Sequence, residues 1–269
     1  MIALSALTGN LCASNGWSIS APIVTVAVLL LAFGSSALNQ WQEQGLDALM
    51  QRTCSRPLPA KKMTPNTALI FAGSCLASGI LLLSLLPSQR AALLGLLAVI
   101  WYNAIYTPLK RRTAFAALPG AICGALPPLI GWVAAVAPLL EAKILILSGT
   151  LFLWQIPHSW LLLCHYRQDL QSSGLPNLFA AIPTRQLLRI NNCWLVALTC
   201  CYLLFALFGF IANLVLSALF LAGLVALILI GTQEATKPTA QQAPLKLFHL
   251  TNISMALLLT VLLLDSLIK

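Results

Sequence analysis

Asn39, Glu43 and Asp47 recur every fourth residue, so on an α-helix they fall along one stripe. Arg52 and Arg56 continue the series just beyond. Two carboxylates and a carboxamide followed by guanidinium groups have the composition of a site that holds Mg²⁺ against phosphate oxygens. Hard oxygens suit the metal, and planar paired N–H donors suit the phosphates. A third acid, Asp169, lies in Tyr166-Arg167-Gln168-Asp169, again beside a base, and Lys110-Arg111-Arg112 adds three cations. The ordinary alternative for such residues is a solvated anchor at the end of an apolar helix, and Glu141, Glu234 and Asp265 are assigned wholly to it. His158 differs, because it sits near the middle of a long apolar run directly after Pro157, where an ionisable group is a functional candidate by default.

These residues are carried by a chain of 269 residues with only 15 Lys+Arg and 6 Asp+Glu, 59% apolar, at a mean hydropathy of +0.91. Soluble domains have about 25% charged residues, so this is the composition of an integral membrane protein. It excludes a soluble enzyme, a disordered chain and a nucleic-acid binder. The net charge of +9 is dispersed in short gaps between apolar runs, which is the pattern of membrane topology rather than of a nucleic-acid surface. The eight cysteines form no metal-binding spacing and lie mostly within apolar runs, where a thiol packs as a small hydrophobe.

Apolar runs bounded by charge, Pro or Gly predict spans over Ile19–Leu38, Asn66–Leu86, Ala91–Tyr106, Phe115–Ala137, Ile144–Cys164, Ile190–Phe210, Leu214–Gly231 and Leu247–Ile268. Met1–Ala13 is a short or truncated first span, about 20 Å as a helix against a hydrocarbon core of about 30 Å. Counting it as the first, Arg52, Arg56, Lys61 and Lys62 follow the second span, and Lys110, Arg111 and Arg112 the fourth. Arg167, Arg185 and Arg189 follow the sixth, and Lys237 and Lys246 the eighth. The other side receives only Arg90, Lys143 and Lys269. The positive-inside rule then puts the even-numbered exits in the cytoplasm and the carboxyl terminus outside. The second and sixth spans both run toward the cytoplasm and end in the longest polar stretches, a faint pseudo-repeat. Pro119-Gly120, Pro127-Pro128 and Gly131 interrupt the fifth span and Pro157 the sixth. Broken membrane helices border protein-lined cavities, which Trp154, His158, Trp160, Trp132 and Tyr106 would line.

At this point the segments resemble a known family. Asn39-Gln-Trp-Gln-Glu43-Gln-Gly-Leu-Asp47 followed by Ala-Leu-Met-Gln-Arg52-Thr53-Cys-Ser-Arg56-Pro57-Leu58 resembles, without a gap, the first acidic motif of the UbiA-type intramembrane prenyltransferases, N-x-x-x-D-x-x-x-D. Four further segments are similar to the haem O synthase (protohaem IX farnesyltransferase) branch. They are Tyr106-Thr107-Pro-Leu-Lys110-Arg111-Arg112-Thr113, Gly124-Ala-Leu-Pro127-Pro128-Leu-Ile-Gly131-Trp132, Leu153-Trp154-Gln155-Ile-Pro157-His158-Ser-Trp160, and Tyr166-Arg-Gln-Asp169-Leu-Gln-Ser-Ser-Gly174-Leu-Pro176. They occur in order from about residue 8 to 180, and their specificity lies in the combination.

The resemblance implies an all-α integral membrane protein, a single domain over residues 1–269, with about nine transmembrane helices around a central cavity in the bacterial cytoplasmic (inner) membrane. It implies Mg²⁺ held by Asn39, Glu43, Asp47 and Asp169 at a cytoplasmic mouth, with Arg52, Arg56, Lys110, Arg111 and Arg167 as diphosphate donors. The implied reaction moves farnesyl from farnesyl diphosphate to a vinyl group of haem B, giving haem O. His158, Trp154 and Tyr106 stand toward the acceptor, His158 as an iron ligand or as a group that orients the haem. The lipid bilayer and a haem A synthase or terminal oxidase are the implied partners. Glu43 stands where the family has Asp, so the metal position should shift or a different pairing should form. Gln40 replaces a frequently acidic residue, and Ser159 a Phe. Polyprenyl transfer to an aromatic quinone precursor, a non-catalytic membrane transporter or assembly protein, and a paralogue with a changed acceptor are the competing readings.

Overall fold

The computed structural model describes residues 1–176, 182–236 and 243–268, which leaves Lys237 and Lys269 outside the described residues. Helix α1 spans Ile2–Ser14 and α2 Ser20–Asp47. At 28 residues, α2 is about 42 Å long, well beyond a hydrocarbon core of about 30 Å. The helix therefore continues past the expected span end at Leu38, and its last turns carry the acidic stripe. α3 (Pro65–Ser84) opens with the Thr64 side chain accepting from the Thr67 N–H and with proline at its first position, the usual start signals.

α4 (Gln89–Ile100) passes directly into a π-helical turn (Trp101–Tyr106) and a last α turn (Thr107–Leu109). Pro108 supplies no N–H there, and the Thr107 hydroxyl donates to the Tyr102 carbonyl at 2.9 Å. The fifth predicted span is divided only after Gly120, into α5 (Ala117–Gly120) and α6 (Ile122–Ala134); Pro127, Pro128 and Gly131, expected to interrupt it, lie inside the continuous α6. The carbonyl of Pro119 accepts from Trp101 Nε1 at 2.8 Å. α7 (Ala142–His165) contradicts the expected break, since Pro157 lies inside one continuous helix. Proline there removes one N–H donor without ending the element. α8 (Arg167–Ser173) is a short surface helix ending at Gly174, whose φ of +69° is the left-handed turn that favours glycine. α9 (Thr184–Leu207), α10 (Leu214–Thr236) and α11 (Ala243–Ile268) complete the chain.

α6 and α7 form the centre: α6 packs on α1, α4 and α7, while α7 also touches α5, α9 and α11. The short α1 is bound into this bundle by two glycines. A Cβ at Gly131 would lie 1.8 Å from the Ala6 carbonyl oxygen, and one at Gly9 would lie 2.2 Å from that of Pro128, so the two backbones meet where only glycine fits. Asn10, fully buried, then donates to the Gly131 carbonyl at 3.0 Å. Large apolar side chains such as Ile70, Leu85, Leu140 and Leu214 stay exposed, a surface suited to lipid rather than water. Among the described residues six helices are long and apolar enough to cross a membrane, and Ile2–Ser14, Arg189–Phe205 and Leu214–Ala226 are shorter apolar helices. The protein is thus an all-α, multi-pass membrane bundle.

Candidate active site

The last turns of α2, the exit of α4, the α5–α6 break and the second half of α7 surround a cavity of about 430 Å³. Asn39, Glu43 and Asp47 line it together although each is buried, to 6, 8 and 1% exposure. Both oxygens of Asp47 accept from Arg56 Nη1, at 2.9 and 2.8 Å. Glu43 Oε2 accepts from Lys110 Nζ at 2.7 Å and from Asn39 Nδ2 at 3.0 Å. The extra methylene of glutamate thus serves a pairing with Lys110. Asn39 Nδ2 also donates to the Thr107 hydroxyl at 3.0 Å. Carboxylate oxygens only accept, so the amide nitrogen must face Glu43, and Oδ1 is the end of Asn39 left to bind a cation.

Two buried carboxylates are stable here because each faces one cation. Their chemistry fits a hard divalent metal: two anionic groups and one amide oxygen on a single helix face, all bordering open volume. The cations that neutralise them, Arg56 and Lys110, border the same open volume. Lys110 Nζ also lies 5.1 Å from the centre of the Tyr106 ring. That ring occupies the space opened by Gly120, where a Cβ would lie 2.5 Å from Tyr106 Cε2. Arg52 lines the mouth, its guanidinium 5.2 Å from the Tyr166 ring centre.

Farther in, the lining is neutral. Gln155, His158, Ser159 and Leu162 follow helical spacing and form one face of α7. Tyr102, Cys123 and Gly124 also line the cavity. His158 is seven residues from the end of α7, about 10 Å along the axis. Tyr102, Gln155 and Ser159 carried no role in the sequence reading. The π-helical turn that presents Tyr102 leaves no mark in the sequence, whereas Gln155 could have been found one turn before His158 and Ser159 directly after it.

Other expected residues stand elsewhere. Asp169 does not line the cavity; its oxygens accept from the backbone N–H groups of Gln51 and Arg52 at 3.1 and 3.0 Å. It latches α8 onto the loop after α2, helped by a bond from the Ser172 hydroxyl to the Leu49 carbonyl. Arg111 donates to the Gln42 carbonyl on α2, and Arg167 is exposed at the start of α8, outside the lining. Trp154 is a support rather than a wall: its indole N–H donates to the Thr251 carbonyl at 3.1 Å, and its ring lies 4.6 Å from that of His158. Trp132 and Trp160 are packed in the core. Asp265 corrects the solvated-anchor reading, because it is 2% exposed and accepts from the Asn213 N–H at 2.8 Å.

Comparison with known proteins agrees with this architecture. The sequence model of the UbiA prenyltransferase family matches residues 2–257. The protoheme IX farnesyltransferase of Geobacter sulfurreducens is 41% identical over 71% of this chain and 70% of its own. That of Oleidesulfovibrio alaskensis is 34% identical over 100% of this chain and 93% of its own. Among solved structures, a UbiA homolog from Aeropyrum pernix K1 superposes with a TM-score of 0.80 at 19% identity, covering 99% of this chain and 97% of the other. A UbiA homolog from Archaeoglobus fulgidus bound to GPP and Mg²⁺ gives 0.65 at 15% identity, covering 97 and 94%. A matched family model spanning nearly the whole sequence, and relatives this similar over most of their length, establish that the chain belongs to the UbiA prenyltransferase family, on its protohaem IX farnesyltransferase branch.

Proposed function

We propose that this prenyltransferase moves farnesyl from farnesyl diphosphate to a vinyl group of haem B, in the cytoplasmic membrane and with its charged mouth on the cytoplasmic side. The observation that carries the reading is the buried Asn39–Glu43–Asp47 stripe opening onto a cavity whose inner wall is neutral. Asn39, Glu43 and Asp47 would hold Mg²⁺, which when bound would supply positive charge to stabilise the leaving diphosphate. Arg52, Arg56 and Lys110 bind the diphosphate, the last two by leaving their carboxylates for phosphate oxygens. This directs fixed positive charge at the group on which negative charge develops. The bond between C1 of farnesyl and the diphosphate oxygen breaks, and the leaving group keeps the electron pair. C1 then bonds to the terminal vinyl carbon, and water adds to the resulting cation with loss of a proton, giving a hydroxyethylfarnesyl group. The neutral inner lining keeps bulk water away from the allylic cation until the carbon–carbon bond has formed.

The test is to express the chain in a bacterium deleted for its own haem O synthase and to analyse the membrane haems by mass spectrometry. Haem bearing hydroxyethylfarnesyl, absent from an Asp47→Asn control, is expected. Only haem B, from a protein shown to be inserted, would overturn the acceptor and direct the next assay to aromatic quinone precursors.

A further inference from the structure

The polar group farthest from the charged mouth that the mechanism leaves unused is His158. Its Nδ1 lies 2.9 Å from Oδ1 of Asn252 on α11. The amide orientation is fixed independently, because Asn252 Nδ2 donates to the Phe248 carbonyl at 2.9 Å and a carbonyl can only accept. Asn252 therefore presents an acceptor to the imidazole, and Nδ1 must carry the proton. In the neutral ring this leaves a lone pair on Nε2, which has no partner among the described residues, on a side chain that lines the cavity. The ring packs against Trp154 and Phe248, at 4.6 and 4.8 Å between centres. A cavity-lining histidine with one nitrogen donating to an oxygen and the other unpartnered among the described residues has the arrangement of a metal ligand with its supporting partner already in place.

We infer that His158 Nε2 is an axial ligand to the iron of the acceptor porphyrin, and that Asn252 is the positioning residue that holds His158 in the ligating tautomer. The inference rests on haem being the acceptor. Ligation from α7 anchors the macrocycle in the inner cavity, about two helical turns from the end of the helix. Iron ligation there would seat the porphyrin in the same cavity that the metal-binding stripe lines.

The experiment is titration of ferric haem B into the full-length protein in lipid nanodiscs, read by Soret absorption and electron paramagnetic resonance. Wild type should show a histidine-ligated iron signature. His158→Ala should lose it, and added imidazole should restore it. Asn252→Leu should weaken haem binding by about 10-fold or more, and Asn252→Asp, which keeps an acceptor oxygen, should restore affinity. A histidine signature that persists in His158→Ala, or unchanged affinity and spectrum in Asn252→Leu, overturns the inference. Metal-free protoporphyrin IX separates it from the underlying reading. If wild type binds that porphyrin as tightly as haem and without a histidine signature, ligation falls while the porphyrin acceptor stands. If wild type binds neither, the acceptor reading itself falls.

Discussion

Replacing Asp47 by Asn separates the chemistry of the mouth from its contribution to folding. Asp47 is almost fully buried and both its oxygens accept from Arg56 Nη1, yet the Arg56 side chain remains 32% exposed. Asparagine keeps the volume and one acceptor oxygen, and Arg56 can turn toward water. The stability loss should therefore be about 1 kcal/mol, near the value for a partly exposed charged hydrogen bond, rather than the roughly 3–5 kcal/mol of a fully buried pair broken on one side. The catalytic loss should be larger. One full negative charge disappears from the stripe that neutralises the metal and positions the diphosphate. Deleting a single preorganised electrostatic group costs about 2.7–4 kcal/mol of barrier, or 10²–10³-fold in turnover. Diphosphate release from a radiolabelled prenyl diphosphate, measured in membranes beside a thermal melt of the same preparation, reads both quantities. Turnover within about threefold of wild type, from a variant with an unchanged melt, would refute the metal-stripe reasoning.

Lys110→Met should lower kcat/KM at least about tenfold, chiefly through KM for the prenyl diphosphate, with partial recovery in Lys110→Arg; steady-state kinetics check this. Asp169→Asn should lower the melting temperature by a few degrees while leaving the Mg²⁺ concentration for half-maximal activity unchanged, and a tenfold shift in that midpoint would make Asp169 a metal ligand after all. Gly131→Ala should destabilise the bundle by about 1–3 kcal/mol or more, because its Cβ would lie 1.8 Å from the Ala6 carbonyl oxygen. Gly45→Ala on α2, with nothing within 4 Å of the added Cβ, should be neutral or up to about 1 kcal/mol stabilising, and thermal melts in lipid nanodiscs compare the two. Chelation by EDTA should stop turnover and leave the fold intact, with activity restored by added Mg²⁺.

The acidic stripe was legible because its geometry is local: residues four apart on an uninterrupted helix share a face whatever surrounds them, and α2 brings Asn39, Glu43 and Asp47 to one cavity. The pairings of that stripe were not legible in the same way. Lys110 reaches Glu43 from 67 residues away, and it does so from the α turn that follows a π-helical turn that no periodicity announces. The sequence read α1 as a short or truncated first span without showing its packing, in which Gly9 and Gly131 let its backbone approach α6 to a separation no longer side chain would permit. Pro157 failed as a breaker because a proline inside a well-packed membrane helix costs one N–H rather than the helix.

The residues that sequence reasoning placed in the site but the structure did not share one physical cause. Asp169 takes the N–H groups of Gln51 and Arg52, Arg111 the carbonyl of Gln42, and Trp154 the carbonyl of Thr251; Asp265, read as a solvated anchor, likewise takes the N–H of Asn213. Each satisfies the backbone of another element. Where little water is available, backbone N–H and carbonyl groups also draw polar side chains, and a side chain bonded to another element's backbone is not free for chemistry. A polar residue in such a chain thus has two competing uses, and sequence alone does not show which backbone groups of other elements it meets. Asn39, Glu43 and Asp47 instead pair with the side chains of Thr107, Lys110 and Arg56. His158 differs again, since Asn252 occupies only one of its nitrogens. What remains bare at the cavity wall is what the fold has not already used to satisfy itself.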